Sequence, residues 1–248
     1  MHIDLNADLG EGMGDDDAIL ACVSSANIAC GGHAGDAASM RQAVRAAKAL
    51  GVAIGAHPSY DDRANFGRTD LHLPSAEVTH LVTSQVAALR AIAQEEGARV
   101  VHVKPHGALY NQAARDPELA DAILAGVRGV DPALAVMGLA GGQLTARARD
   151  AGMTAIEEAF ADRAYLDDGS LAPRSLPGAV LDDIDAAVTQ TLAMLRDGRV
   201  RSLSGAMVAV RAVTVCLHGD GAHAIELART LRAALSNAGI AIRSPFPA

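Results

Sequence analysis

Seven short apolar runs recur along the chain, and most are separated by longer stretches of helical periodicity. The runs are HIDLNAD from His2, ANIACGG from Ala26, VAIGAH from Val52, VVHVKPH from Val100, LAVMGLAG from Leu134, TAIEEAFAD from Thr154 and AVTVCLHGD from Ala212. Several are nearly continuous rather than alternating, as expected of parallel strands covered on both faces. Between them, SAEVTHLVTSQVAALRAIAQEEG places Val78, Leu81, Val82, Val86, Leu89 and Ile92 on one face, with Ser75 as N-cap and Gly97 as stop. DPELADAILAGVRG opens with Asp116 as cap and Pro117 at the first helical position. DDIDAAVTQTLAMLRDG and GAHAIELARTLRAALSNAG repeat the pattern. Such alternation predicts a parallel sheet with helical crossovers. Seven units without a compositional break predict one domain over 1–248, an irregular seven-stranded β/α barrel. An open doubly wound sheet is the other arrangement. LDDGSLAPRSLPGAV, from Leu166, reads as a surface loop or lid carrying Arg174.

Composition narrows the function. Half the residues are apolar but only 2% are aromatic, so the core must be built from Ala, Val, Leu and Ile. A formal charge of −8 and the absence of any Lys/Arg run argue against nucleic acid or an anionic membrane as the main partner. Cys22, Cys30 and Cys216 form no CxxC pair and suit a reducing compartment. The opening residues carry acids and no apolar leader core, so the expectation is a cytoplasmic protein.

The polar residues that follow each run carry the chemistry. Run one yields Asn6 and Asp8, then Glu11; run two His33 and Asp36; run three His57; run four Lys104 and His106. The sixth yields Glu158, Asp162 and Arg163, and the seventh His218 and Asp220. In either α/β arrangement these carboxyl ends gather at one rim, where ligands bind. Some have structural readings: Asp36 suits the N-cap of AASMRQAVRAAKALG as well as it suits a ligand. Lys104 is one of only two lysines and lies in an apolar run, where an unpaired ammonium is costly, so it should meet a carboxylate or a phosphate. Several histidines with Asp8 could bind a metal, yet no HxxH, HxxxH or HExxH pair supports one, and the metal question stays open. The same groups could do acid–base work on water and a leaving nitrogen. There is no GxSxG elbow and no GxxxxGK[ST] loop, and GLAGG from Gly138 is too short for a dinucleotide fingerprint.

The blocks DLNADLGEG, NIACGGHAGD, GAHPSYDDRANFGR, VKPHGALYN, EAFADRAY, LAPRS with GAV, and CLHGD run in order from Asp4 to Asp220. Together they resemble the 5-oxoprolinase A-subunit family, also called the LamB/YcsF lactam-utilisation family. The resemblance implies a seven-stranded irregular β/α barrel related to the glycoside hydrolase/deacetylase superfamily. It further implies ATP-dependent opening of 5-oxoproline to L-glutamate, with partner subunits B and C thought to phosphorylate the lactam before this chain hydrolyses it; ATP could then be bound by the partners. By position the match carries over Asp8, Lys104, His106 and Glu11 as catalytic candidates. As substrate-binding candidates it carries over Asn6, His33, Asp36, His57, Arg68, Asn111, Glu158, Asp162, Arg163, Arg174, His218 and Asp220. Asp4, Ser59, Tyr60, Tyr110 and Tyr165 also match; Thr69 and Gly221 depart from the pattern. The chemical assignment is Asp8 with His106 activating water, and Lys104, Arg68 and Arg163 facing phosphoryl or carboxylate groups. A metal-dependent hydrolase or deacetylase acting alone is the alternative.

Overall fold

Strand β1 (His2–Leu9) shows in one segment how the molecule is built. Alternate side chains of a strand point to opposite faces, and here Ile3, Leu5, Ala7 and Leu9 enter the aliphatic core. Asp4, Asn6 and Asp8 point the other way and bond to residues of three other strands and to Lys104, just past a fourth. The second face is the lumen of a barrel.

The computed structural model describes residues 1–12, 16–217 and 223–246. The barrel strands that follow β1 are β2 (Ser25–Ala29), β3 (Ala53–His57), β4 (Val100–Val103), β5 (Ala135–Leu139) and β6 (Ala155–Phe160). Helices α1 (Asp16–Leu20), α2 (Ala37–Leu50), α3 (Ser75–Glu95), α4 (Gly107–Ala113), α5 (Pro117–Val130), α6 (Gln143–Asp150) and α7 (Ile184–Asp197) intervene. After α7 come an antiparallel hairpin, β7 (Arg199–Arg201) with β8 (Met207–Ala209), the last barrel strand β9 (Thr214–Leu217), α8 (Ala224–Asn237) and the short β10 (Ala241–Ile242). The order β1-β2-β3-β4-β5-β6-β9 is parallel throughout, and β9 pairs back onto β1 (Asn6 opposite Cys216) to close a seven-stranded α/β barrel. Strand β10 adds to the lower end of β1, with His2 opposite Ala241.

All seven runs form barrel strands, but the apolar pattern overruns their ends. Strand β2 stops at Ala29 and β4 at Val103. Past β4 the backbone still bonds toward the β3 side, Lys104 N–H to Ala56 and His106 N–H to Pro58, with Pro105 supplying no N–H between them. The expected face of α3 is buried at Val78, Val82, Val86, Leu89 and Ile92. Its expected cap is not Ser75: Pro74 takes that position, and the Ser75 hydroxyl donates to Glu118 of α5. Asp116 and Asp183 cap α5 and α7 through their carboxylates. Among the described residues, no helix is long and apolar enough to cross a membrane.

The lumen is polar. Asp4 accepts hydrogen bonds from Ser24 (2.6 Å), Ser25 (2.8 Å) and Thr214 (2.6 Å). Asn6 donates to Glu158 and Thr214, Asn27 donates to Asn6 and Asp8, and His102 Nε2 donates to Asn27. The ring of His102 stacks on Phe246 at the opposite end of the lumen from the rim. Burial, followed by the charge of Lys104, lowers the His102 pKa to about 3, so this imidazole is neutral.

Candidate active site

The carboxyl ends of β1 to β4 deliver four groups to one point. Glu11 comes from the turn after β1, His33 from the Gly-rich turn after β2, His57 from the last position of β3, and His106 from the extension of β4. The β2 turn depends on its glycines: Gly31 has φ +97°, and a Cβ on Gly32 would stand 2.5 Å from the Ser59 hydroxyl. This is how His33 reaches the rim directly from a buried strand. His33 Nε2 lies 2.8 Å from Glu11 Oε1, and its ring stacks on His106 with centroids 3.6 Å apart. His57 Nε2 is 2.9 Å from His106 Nδ1 and 3.3 Å from Asp8 Oδ2. Glu11 Oε1 is 3.4 Å from His106 Nδ1 and 3.9 Å from His57 Nε2.

Each outer ring nitrogen is held by backbone: His57 Nδ1 donates to the Lys104 carbonyl (2.7 Å), and His106 Nε2 to the Phe66 carbonyl (3.0 Å). Phe66 takes φ +55°, an uncommon conformation for a bulky residue. It aims that carbonyl at His106 and sets its ring edge-on to both His33 and His106. Burial lowers the His33 pKa against the pull of Glu11. Burial, then the repulsion that a proton on His57 or His33 would exert, lowers that of His106 well below the ordinary value. One donor atom from each of Glu11, His33, His57 and His106 lies within 4.8 Å of the others, so these residues could together hold a metal ion.

Below them sits Lys104, 2% exposed. Its ammonium contacts Asp8 Oδ1 (2.9 Å), Glu158 Oε1 (2.9 Å), Asn6 Oδ1 (3.3 Å) and Cys216 Sγ (3.2 Å). Burial works against its charge, but Asp8, Cys216 and Glu158 outweigh that and hold the pKa well above the ordinary lysine value. The expectation that Lys104 meets a carboxylate holds, and it meets two. The ammonium is therefore paired with both carboxylates in the barrel floor, and it also lines the cavity above.

A cavity of about 610 Å³ opens above this floor. Asp8, Glu11, His57, Lys104 and His106 line one end. Arg68, Asn111, Arg115, Arg163 and Arg174 are on its walls, with the glycine turn between β5 and α6 and the loop 166–174. Arg163 is buried and bonds the Ala172 and Ala179 carbonyls. Burial, then the charge of Arg174, lowers its pKa to about 10. The Asn111 amide donates to the Gly107 carbonyl within α4.

Not every candidate gathers here. Asn6 and Glu158 are fully buried in the lumen and are not among the residues that line the cavity. Asp36 is exposed and caps α2, accepting from the Ala38 and Ser39 N–H groups. Asp162 is buried outside the cavity lining. His218 and Asp220 lie outside the described residues. Asn27, His102 and the Phe66 carbonyl were missed. The alternation of Asn27 with Ile28 in ANIACGG is a usable signal for the first, but a backbone carbonyl leaves none.

The fold has distant relatives. A peptidoglycan N-acetylglucosamine deacetylase, Bc1960, superposes with a TM-score of 0.50 at 12% identity, over 97% of this chain and 84% of its own, a likeness of fold alone. A lactam utilization protein from Thermus thermophilus is far closer: TM-score 0.91 and 46% identity, covering 98% of this chain and 99% of that one. The pattern of the LamB/YcsF family runs through residues 3–248, from the first barrel strand past the last, and the chain belongs to that family.

Proposed function

We propose that this chain opens the lactam ring of 5-oxoproline, as the hydrolytic component of an ATP-dependent 5-oxoprolinase. The observation that carries the reading is Asp8. Its Oδ1 is fixed by Lys104 and Asn27, at 2.9 Å each, while Oδ2 stands at the cavity beside His57. A carboxylate oxygen at this place can take a proton from water. The oxygen of that water adds to the lactam carbon, whose oxygen carries the phosphoryl group. The C–N bond breaks as a proton reaches the nitrogen, and a second water releases inorganic phosphate from the resulting acyl phosphate, giving the carboxylate and amine of glutamate. Asp8, having taken the proton of that water, can pass it to the nitrogen. The one N–H of His106 is held by the Phe66 carbonyl, so in this reading the ring does not share the proton transfer expected of it. Arg68, Arg163 and Arg174 on the walls suit the substrate carboxylate and a phosphoryl group on the lactam carbonyl oxygen, as guanidinium groups pair with both. Phosphorylation would make the unreactive amide a better electrophile, and in this reading subunits B and C supply it and bind the ATP. Family membership and the likeness to the Thermus lactam utilization protein support a lactam substrate.

Glutamate release from 5-oxoproline and ATP, with this chain and each candidate partner omitted in turn, tests the reading. Release that requires this chain, and falls about 10²–10⁴-fold in Asp8→Asn, is the expected result. A folded, ATP-hydrolysing mixture that yields no glutamate overturns it. The Glu11–histidine cluster favours a second reading, a hydrolase of amides or lactams that works without partners or ATP. Lactam opening by the isolated chain without ATP would select it.

A further inference from the structure

Four strand ends bring Glu11, His33, His57 and His106 together, and the protons on two of the rings can be assigned. A neutral imidazole has one N–H and one lone pair. A backbone carbonyl can only accept, so the Lys104 carbonyl fixes the proton of His57 on Nδ1, and the Phe66 carbonyl fixes that of His106 on Nε2. The facing atoms, His57 Nε2 and His106 Nδ1, are then both bare lone pairs, 2.9 Å apart. Two acceptors cannot bond to each other. Glu11 Oε1 makes this worse, because it is a carboxylate oxygen 3.9 Å and 3.4 Å from the same two nitrogens. The result is a buried convergence of electron pairs.

We infer that His57 Nε2, His106 Nδ1 and the Glu11 carboxylate are the ligands of a divalent transition metal of the zinc class, with His33 donating its Nε2–H to Glu11 and orienting that carboxylate. Two imidazoles and one carboxylate form a familiar zinc-binding set that leaves a position open for water or substrate. Donors bonded to one ion at about 2.0–2.2 Å lie roughly 3.0–3.5 Å apart for angles between a right angle and the tetrahedral value. The 2.9 and 3.4 Å between His106 Nδ1 and its two co-ligands are close to that. The carbonyl-anchored outer nitrogens are the outer-shell arrangement that sets tautomer and ring direction in metal sites. The cavity beside His57, His106 and Glu11 provides the entry path. Bound there, the ion would supply Lewis acidity next to Asp8. The spacing rules for paired histidines could not find this set, since each ligand comes from a different strand end.

The inference rests on donor geometry and not on the lactam reading, so its test reads metal. The chain is stripped with chelator, re-exposed to zinc or cobalt(II), freed of excess and measured by elemental analysis and by the visible absorption of cobalt. One equivalent per chain is expected, with cobalt bands of a four- or five-coordinate N/O site. His57→Ala should lose it, Glu11→Gln should bind at least tenfold more weakly, and His72→Ala, an exposed histidine elsewhere, should bind as the parent does. If His57→Ala fails to fold, Glu11→Gln alone decides. Less than about a tenth of an equivalent in a folded parent overturns the proposal, as does undiminished binding in Glu11→Gln. Metal bound by a chain that releases no glutamate would leave this site standing and sink only the lactam reading.

Discussion

The lower lumen and the rim of the barrel are both buried and both polar, yet they are wired in opposite ways. In the lumen the principal acceptors meet donors: Asp4 faces three hydroxyls, and Asn6, Asn27 and His102 pass hydrogen bonds from strand to strand. At the rim, two imidazole lone pairs and the Glu11 carboxylate face one another. The lumen's network is satisfied apart from His102 Nδ1 and Glu158 Oε2, and such strand-to-strand bonding fixes the register of the strands. An unsaturated one is costly to keep in a folded chain unless something binds there. Polarity inside a barrel is therefore no sign of function; the sign is how the donors and acceptors balance.

Lys104 joins the two regions, and removing its charge should have the largest effect. It neutralises Asp8 above and Glu158 below. Breaking a buried ion pair from one side costs about 3–5 kcal/mol, so Lys104→Met should lose that much in urea unfolding. Adding Glu158→Gln should restore part of it. A loss under about 1 kcal/mol, the range of an ordinary exposed pair, would mean that the two carboxylates do not need the ammonium, and the division between floor and rim would collapse.

The lumen should also be intolerant of added volume. Gly55 on β3 has no room for a side chain: a Cβ there would sit 2.0 Å from His102 Nε2. Gly55→Ala must push the imidazole off Asn27, combining overpacking of about 1–3 kcal/mol with a broken buried hydrogen bond of about 1–3 kcal/mol. About 3–4 kcal/mol is expected from the two together, and much of it should return when His102 is also cut to Ala. Additive losses in the double variant would show that the ring and the glycine do not compete for the same space.

These positions show what could be read from the chain beforehand. The seven strands were legible because period and punctuation are local properties, and so was Lys104, whose isolation in an apolar run demanded an anionic partner. The site was legible as a list of strand-end residues but not as an arrangement. Asp36 and His33 stand three residues apart in the same block, and one caps a helix at the surface while the other is buried against Glu11. Glu158 reads as a strand-end residue like His57, but it lies two residues short of the end of β6 and is fully buried. Which side of a barrel rim a residue takes depends on strand stagger, and the metal-ligating geometry depends on four turns at once.

Asp4 sharpens the comparison through pH. Burial raises its pKa to about 6 despite its three hydroxyl donors, from 3.8 in a free carboxyl. The folded state thus holds this proton more tightly than the unfolded state. Asp4 supports stability fully below about pH 4, and the support fades as pH rises through about 6. Two pKa units correspond to about 3 kcal/mol. Because many other groups titrate in the same range, the measurement is a difference: unfolding free energy of Asp4→Asn minus that of the parent, followed from acid to neutral pH. It should climb by about that amount and then level off. A flat difference would mean that the lumen carboxyl does not sense its burial.

The smallest expected effect concerns Asp36, where the structural and functional readings part. Its carboxylate accepts from the Ala38 and Ser39 N–H groups, and the Ser39 hydroxyl receives the Asp36 N–H in return, a complete capping box. The same backbone donors lower the carboxylate pKa. A helix loses a modest part of its stability with such a cap, and serine caps nearly as well as aspartate. Asp36→Ala should therefore unfold at a slightly lower urea concentration, while Asp36→Ser stays close to the parent. Turnover measured on both separates the readings. A cap predicts that activity follows stability, so the serine variant works normally. A serine variant that is as stable as the parent but impaired in turnover would bring this carboxylate back to the site, and the boundary between scaffold and rim would have to move outward to include the start of α2.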